Sequence, residues 1–467
     1  MYFKSILVAM AFATFFVSSY AQDRVVAPIR AYNYKTIPAP PGMAYIPGGS
    51  IVVKYGQSDS ETSSVKKFSV SSFYIDKTEV TNKQYRDFIN WVIDSVAIAA
   101  YIKDDRYFDH NSLDSSSRSI RWNKFKHHGR GIMSSKNSDI QSKIAPMFDH
   151  GQIRKELYSF AFTYLKRGKP GDSKDRFVTE SINVYPDTKV WATDFPNSQT
   201  DELVAEYFTN PAYDDYPVVG VTWKQARAFA YWRSIHSHTK KSKYIRNFQL
   251  PDTLPSEAQW AYAAQGSQEA MEQYNADSTA VPRDKKNRLI ANFKQDEGDY
   301  TEDGSSYTVP VTSYSPNAFG LYNMEGNVAE WVLDAYNESA WAFVHDQNPV
   351  LLYDADSTES NFMKSKVVRG GSWKDNARFL SPYIRDYESQ DVPHSYIGFR
   401  CVMPAPEILG KRVETRRVRY DNKRSSKPDK PMVINTENNT GANTTNTNTN
   451  TNTNTGTKTN IEETNTK

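Results

Sequence analysis

Three segments of this chain share one arrangement: a hydroxyl residue, a glutamine three positions later, then side chains at helical spacing. They are Thr81-x-x-Gln84 with Tyr85, Phe88, Ile89 and Val92, Thr222-x-x-Gln225 with Ala226, Phe229, Ala230 and Arg233, and Ser256-x-x-Gln259 with Trp260, Ala263 and Ala264. Hydroxyl and amide satisfy backbone N–H groups that a first helical turn leaves without acceptors, so each segment predicts a capped helix with one core-facing side. Met43 to Ser50 predicts a strand running into a Gly-Gly turn, and partial alternation over Phe68 to Glu79 predicts another. Ile153 to Lys166 reads as helix-like.

These elements divide the chain. Residues 1–21 read as a secretory signal, with Lys4 before an apolar run from Ile6 to Val17 and Ser19-Tyr20-Ala21 as a cleavage site. That run is too short to span a membrane. Residues 22–40 carry Pro28, Pro38 and Pro40 and predict an extended arm. The body is expected over 41–404. Between its first and second helices lies an insertion at 94–215, too long to be a bare loop and available for protein contact. Residues 405–435 read as a basic linker, because 411–430 holds nine basic residues against three acidic ones. The Asn/Thr-rich stretch 436–467 has little to bury and is expected to be disordered.

Composition narrows the function. Hydrophobic residues are 38% and aromatics 13% of 467 residues, enough for a globular core. The 57 basic and 54 acidic side chains leave a formal charge of +3, which argues against a dedicated polyanion binder, nucleic acid included. The single cysteine, Cys401, rules out disulfides within the chain and cysteine-based zinc sites. No cysteine follows the signal, so the chain as written offers no site for a lipid anchor. Among the histidines, His236-x-His238 could present two rings on one side of a strand, whereas His127 and His128 diverge in any regular element. No nucleophile elbow or phosphate-cradling loop stands in the sequence. Asp375, beside Lys374, reads as a surface residue, and Arg369 as the partner of a buried carboxylate or of carbonyls.

Seven blocks in fixed order carry a resemblance: PPGMAYIPGGS (40–50), FYIDKTEVTNKQYRDFINWV (73–92), YPVVGVTWKQARAFAYWRS (216–234), LPSEAQWAYAA (254–264), PNAFGLYNMEGNVAEWV (316–332), RGGSW (369–373) and IGFRC (397–401). Together they resemble the formylglycine-generating-enzyme (sulfatase-modifying factor) family. The resemblance implies an α+β fold, the sulfatase-modifying-factor variant of the C-type lectin fold, with little regular secondary structure and here a large insertion. In catalytic members two cysteines after RGGS bind copper; the matching positions are Asp375 and Leu380, so the resemblance implies neither copper nor the oxidase reaction. It also implies structural Ca²⁺ at two oxygen-rich loops, one through Asn323, Gly326, Val328 and Glu330, the other through Asn292, Phe293, Asp303 and Ser305.

A narrower resemblance rests on Val184 to Thr188, Pro211 to Pro217, Ala335 to Ala340 and Ser389-Gln390-Asp391. These segments are similar to the gliding-motility GldK/PorK family. It implies a non-enzymatic subunit of a homo-oligomeric periplasmic ring in the type IX secretion machinery. The implied partners are a GldN/PorN-like protein and outer-membrane proteins, at the inner face of the outer membrane. The competing readings are a metal-dependent oxidase of the formylglycine-generating type and a calcium-dependent lectin-like binding module.

Overall fold

The computed structural model describes residues 38–55, 64–109, 120–122, 131–167, 176–236, 250–265, 283, 286, 288–295, 300–406, 413–415 and 433–435. The expected signal (1–21), nearly all of the arm (22–40) and the tail (436–467) lie outside them, as do His110, His127, His128 and His238. The chain divides into two units, Ile37–Pro406 and a second made of Met1–Thr36 with Glu407–Lys467. In the second unit, within the expected basic linker, Val413–Thr415 pairs antiparallel with Val433–Asn435.

The unit Ile37–Pro406 begins with strands β1 (Met43–Ile46), β2 (Gly49–Tyr55), β3 (Ser64–Val70) and β4 (Phe73–Asp76), followed by helix α1 (Asn82–Val96). The insertion contributes α2 (Ser138–Ile144), β5 (Phe148–Asp149), β6 (Gln152–Ile153), β7 (Ser159–Lys166), β8 (Arg176–Asn183), α3 (Val190–Asp194) and α4 (Asp201–Glu206). Then come α5 (Trp223–His236), α6 (Glu257–Gln265), β9 (Ala329–Ala335), α7 (Ala340–Phe343), α8 (Asn361–Lys364), β10 (Ser365–Arg369), α9 (Ala377–Leu380), β11 (Asp386–Ser389), β12 (Ile397–Gly398) and β13 (Val402–Pro404). Strands β1-β4-β13 form one antiparallel sheet. A second sheet runs β11-β10-β9-β12, with β12 parallel to β9. Strand pairs β2-β3, β5-β6 and β7-β8 stand apart as two-stranded sheets. The mixed content agrees with the α+β expectation.

All three capping boxes form. Thr81, Thr222 and Ser256 each accept from the backbone N–H of the glutamine three residues on, and that glutamine's side chain accepts from the cap's own N–H at 3.1, 2.8 and 2.9 Å. Behind the first cap, Tyr85, Phe88, Ile89 and Val92 are all buried. The Tyr85 ring stacks on Phe229 of α5 at 5.5 Å, and its hydroxyl donates to the Val184 carbonyl at 2.9 Å. Such a ring contributes on the order of 2 kcal/mol through burial alone. Helix α5 is tied to β9 by reciprocal tryptophans: Trp223 Nε1 donates to Val332 O at 2.7 Å and Trp331 Nε1 to Val221 O at 3.0 Å. Arg233, at a core-spaced position, reaches Asp76 at 2.8 Å and Asp252 at 3.2 Å.

Two sequence expectations are corrected. Ile153–Lys166 is not a helix: a 3₁₀ turn at Lys155–Leu157 precedes strand β7. Tyr158, Phe160, Phe162 and Tyr164 recur every second residue, and this two-residue period buries Phe160 and Phe162 while β8 supplies the backbone partners. The strand expected over Phe68–Glu79 is two strands, β3 and β4, belonging to different sheets. Val70 and Phe73, either side of the break, are both buried. The insertion forms a small core against Ile93 of α1, built from Ile98, Ile102, Ile132, Ile144 and Met147. Asp94 joins it to α1 by accepting from Met133 N at 3.3 Å; burial raises this carboxyl to about 6 against the pull of the Met133 and Ile132 N–H groups.

Candidate functional site

The RGGSW turn leaves the edge of β10 with backbone that only glycine adopts freely. Gly370 and Gly371 have φ of 95° and 66°, and a Cβ on Gly371 would lie 3.0 Å from the Phe379 backbone. Before the turn, Arg369 donates to Ile384 O at 2.6 Å and to Pro382 O, and stands 3.4 Å from the Glu257 carboxylate, as its sequence reading requires. After it, Ser372 Oγ donates to Asp375 Oδ2 at 2.6 Å and Lys374 Nζ to Oδ1 at 2.8 Å. Asp375 is therefore not the free surface residue expected; its side chain is only 11% exposed and both carboxylate oxygens are engaged. Leu380 packs with Ala291 and Phe293 in an apolar cluster. A shallow hollow beside the turn is lined by Arg369, Gly371, Asp375, Phe379 and Asp386. Burial raises the Asp386 carboxyl, opposed by the Tyr387 N–H and reinforced by the charge of Asp375.

The donors here do not fit the copper of the resembling enzymes. That chemistry needs soft thiolates, and positions 375 and 380 offer a carboxylate and a hydrocarbon. Cys401, the one thiol, is buried, and its backbone N–H donates to Asp76 Oδ2 at 2.8 Å. Among the described residues no three His, Cys, Asp or Glu side chains converge as a metal cluster would.

The two oxygen-rich loops touch each other. Asn327 N donates to Asn292 O at 2.8 Å, and Gly326, at φ 79°, leaves no room for a Cβ against that carbonyl. In the first loop, however, the assigned residues turn to different partners. Asn323 Nδ2 donates to both Glu79 oxygens at 3.1 and 3.2 Å, with Asn327 Nδ2 joining at 2.8 Å. Glu330 is held instead by Arg400, at 2.6 to 2.9 Å, and by Trp260 Nε1 at 2.7 Å. Its negative charge is neutralised inside the protein, which leaves little for a cation to gain. Gly326 N donates to Gly370 O, and Val328 is buried with Trp191 and Trp373. Glu79 went unnoticed in the sequence, because nothing near it signals its partners 244 and 248 residues on. Burial raises its carboxyl to about 7, against Arg400 and with Glu330.

The second loop fits a hard cation better. Asp303 accepts from Phe293 N at 3.2 Å and from Ser305 N at 3.0 Å, with no cation paired to it among the described residues. Gln295 caps the Phe293 carbonyl, and its own Oε1 is buried without a partner among the described residues. Burial raises the Asp303 carboxyl, partly offset by the Ser305 and Phe293 N–H groups. Asn292 turns its amide to Tyr307 O at 2.8 Å, and Ser305 Oγ donates to the same carbonyl at 3.0 Å. The Asp303 carboxylate, the Phe293 carbonyl and Ser305 are the groups that would hold Ca²⁺, whose contribution there would be charge neutralisation and loop closure.

One further polar cluster lies beside the RGGSW segment. His394 Nδ1 faces Asp194 Oδ1 at 3.1 Å and Nε2 faces Glu388 Oε2 at 3.4 Å. Ser395 adds its N–H and hydroxyl to Asp194 at 2.7 and 2.8 Å. Burial alone would lower the imidazole, but hydrogen bonds and charge from Asp194 and Glu388 outweigh it and carry His394 up to about 9. Positively charged near neutrality, it clamps α3 to the β11–β12 connection. His236 is the last residue of α5 and bonds to Trp232 O at 2.9 Å.

Comparison with known proteins agrees with the block pattern. The family model "Sulfatase-modifying factor enzyme 1-like domain" matches residues 31–405. The formylglycine-generating enzyme of Streptomyces coelicolor is 30% identical over 203 residues, 43% of this chain and 56% of that protein. An inactive Cα-formylglycine-generating enzyme 2 of Bos taurus is 28% identical over 204 residues, 42% of this chain and 53% of that protein. The chain thus spans about half the length of these curated relatives. The solved structure of PvdO from Pseudomonas aeruginosa is 16% identical and aligns over 80% of this chain and 100% of its own with a TM-score of 0.40. Because the family model accounts for most of the chain, the protein belongs to the sulfatase-modifying factor enzyme 1-like family.

Proposed function

We propose that the protein is a non-enzymatic structural subunit, a member of the GldK/PorK group that builds a periplasmic ring of the type IX secretion and gliding machinery. The observation that carries the reading is the state of the two positions where catalytic relatives hold copper. Asp375 is tied to Ser372 and Lys374, and Leu380 is packed into hydrocarbon. A family scaffold without its thiolates keeps its shape and surfaces, and the 94–215 insertion adds to those surfaces. The partners in this reading are further copies of the chain, a GldN/PorN-like protein and outer-membrane proteins, at the inner face of the outer membrane. Ca²⁺ at the Asp303 loop would be structural. Co-expression with the GldN/PorN-like partner is expected to give a large ring by negative-stain imaging. Recovery of a monodisperse monomer, with no partner captured by cross-linking, overturns the reading.

A second reading is supported by relatives that are themselves named formylglycine-generating enzymes. It makes the chain a metal-dependent oxidase. Dioxygen consumption with a cysteine-containing peptide, in the presence of copper, tests it; turnover by the purified protein would replace the structural reading.

A further inference from the structure

The hairpin β7–β8 stands in the insertion with one strand edge open. Its register holds over eight consecutive pairs, from Ser159–Asn183 to Lys166–Arg176, without a bulge. Val184 N donates to Tyr158 O at 2.8 Å, so this pair is of the hydrogen-bonded kind. Antiparallel ladders alternate, so Ile182, Glu180 and Val178 also turn their backbone toward β7. Phe177, Thr179 and Ser181 therefore turn N–H and C=O outward. No strand among the described residues pairs with that edge.

Exposed edges are ordinarily blunted by lysine, proline, a bulge or a covering element. Strand β8 reads RFVTESIN, without lysine or proline, and its charges are Arg176 and Glu180. The sheet face bearing its outward-edge residues is free of charge: Ser159, Ala161, Thr163 and Leu165 on β7 lie opposite Asn183, Ser181, Thr179 and Phe177 on β8. Phe177 is 78% exposed. Hydroxyl pairs Ser159–Ser181 at 2.7 Å and Thr163–Thr179 at 2.8 Å cross this face.

We propose that β8 is a self-association edge, pairing antiparallel with β8 of a second copy of this chain about a two-fold axis at Val178. Charge selects both occupant and register. With Val178 opposite itself, Phe177 and Thr179 of the two copies exchange backbone hydrogen bonds, and Arg176 of each copy falls opposite Glu180 of the other. Arg176 is exposed, and no acid of its own chain is seen to pair with it among the described residues. Glu180, already held by Lys224 at 2.8 Å and Tyr164 at 2.9 Å, is a fixed acceptor. Moving the axis to residue 180 would instead oppose two like carboxylates, which is unfavourable in a ladder. The result is a four-stranded sheet continuous across two protomers. The inference rests on the assembly reading and adds to it a two-fold contact between copies, distinct from the head-to-tail contacts that close a ring.

Val178→Cys tests it, because the only natural thiol is buried. Non-hydrogen-bonded antiparallel pairs bring Cα atoms to about 4.5 Å, within disulfide range. Mild oxidation of Val178→Cys is expected to give a disulfide-linked dimer that wild type does not give. Thr179→Pro removes an outward N–H that the isolated hairpin does not use, and is expected to abolish dimerisation by light scattering; Thr179→Val, which loses the same hydroxyl pair with Thr163 but keeps that N–H, is expected to dimerise as wild type does. Arg176→Glu is expected to weaken the dimer by about 5-fold, in the range of two lost cross-strand pairs. Absence of the cross-link in folded Val178→Cys protein overturns the proposal, including where the edge accepts a strand from a different protein. If the ring with the GldN/PorN-like partner still forms without the cross-link, this contact falls and the assembly reading survives; a wild type that stays monomeric even with that partner removes both.

Discussion

Glu330, at the start of β9, and Asp303, in the adjoining loop, are assigned the same task by the sequence, yet the chain treats their charges in opposite ways. Glu330 receives an arginine and an indole from elsewhere in the fold, and its charge is settled within the protein. Asp303 receives backbone N–H groups and the Gln295 amide, all neutral, and burial raises its carboxyl. His394 is an intermediate case, a titratable cation set between Asp194 and Glu388. A buried carboxylate needs a permanent cation, a titratable one, a metal ion or a proton, and these alternatives respond to different perturbations.

The largest effect is expected where the cation is permanent. Arg400→Ala leaves Glu330 buried without its partner and should lower stability by about 3–5 kcal/mol in urea unfolding. A loss under 1 kcal/mol would mean that the pair is a bystander and that the comparison fails at its firm end. Asp334 comes next: burial and the charge of Glu257 raise it to about 7, against backbone N–H groups and the charge of Arg385. A raised acid contributes stability below its ordinary range near 4 and loses it as pH climbs through 7. Between pH 4 and 8 wild type should therefore lose about 2–3 kcal/mol more than Asp334→Asn; parallel curves would place the titration elsewhere.

His394 should behave with the opposite charge and a smaller amplitude. Its pKa is raised, so its contribution is complete below about pH 6.5 and vanishes as pH rises through 9. His394→Gln is expected to flatten that alkaline limb by about 1–2 kcal/mol. The smallest effect belongs to the Asp303 loop. Millimolar Ca²⁺ should raise the melting temperature of wild type by about 2 °C, and Asp303→Asn should abolish the response. Equal responses in the two proteins would move the ion away from this loop.

Much of the scaffold was legible because its signals are local. Each capping box needs only four consecutive residues, and Tyr85, Phe88, Ile89 and Val92 declare the buried side of α1 by spacing alone. Tyr158 to Tyr164 misled because a short aromatic run satisfies helical and strand periods together, and only the partner strand β8 decides between them. The polar interior was less legible still. Asn323 was expected to offer its side-chain oxygen to a cation, and nothing local announced that its amide meets Glu79, 244 residues away. Asp194 and His394 are 200 residues apart, and neither neighbourhood announces the other. Pairings of that kind are products of the closed fold, with no local precursor.

Strand β13 sets the order in which that closure can happen. It completes the sheet on β4, and β12 supplies the last neighbour of β9, so residues 397–404 join the recent strand β9 and the strand β4 made hundreds of residues earlier. During synthesis the first sheet must wait with its edge open until almost the whole domain has left the ribosome, because such distant contacts cannot form sooner. A nascent chain stopped before Ile397 would also lack Arg400, and Glu330 would then face the interior unaccompanied. The final eight residues of the two sheets thus act as the domain's latch.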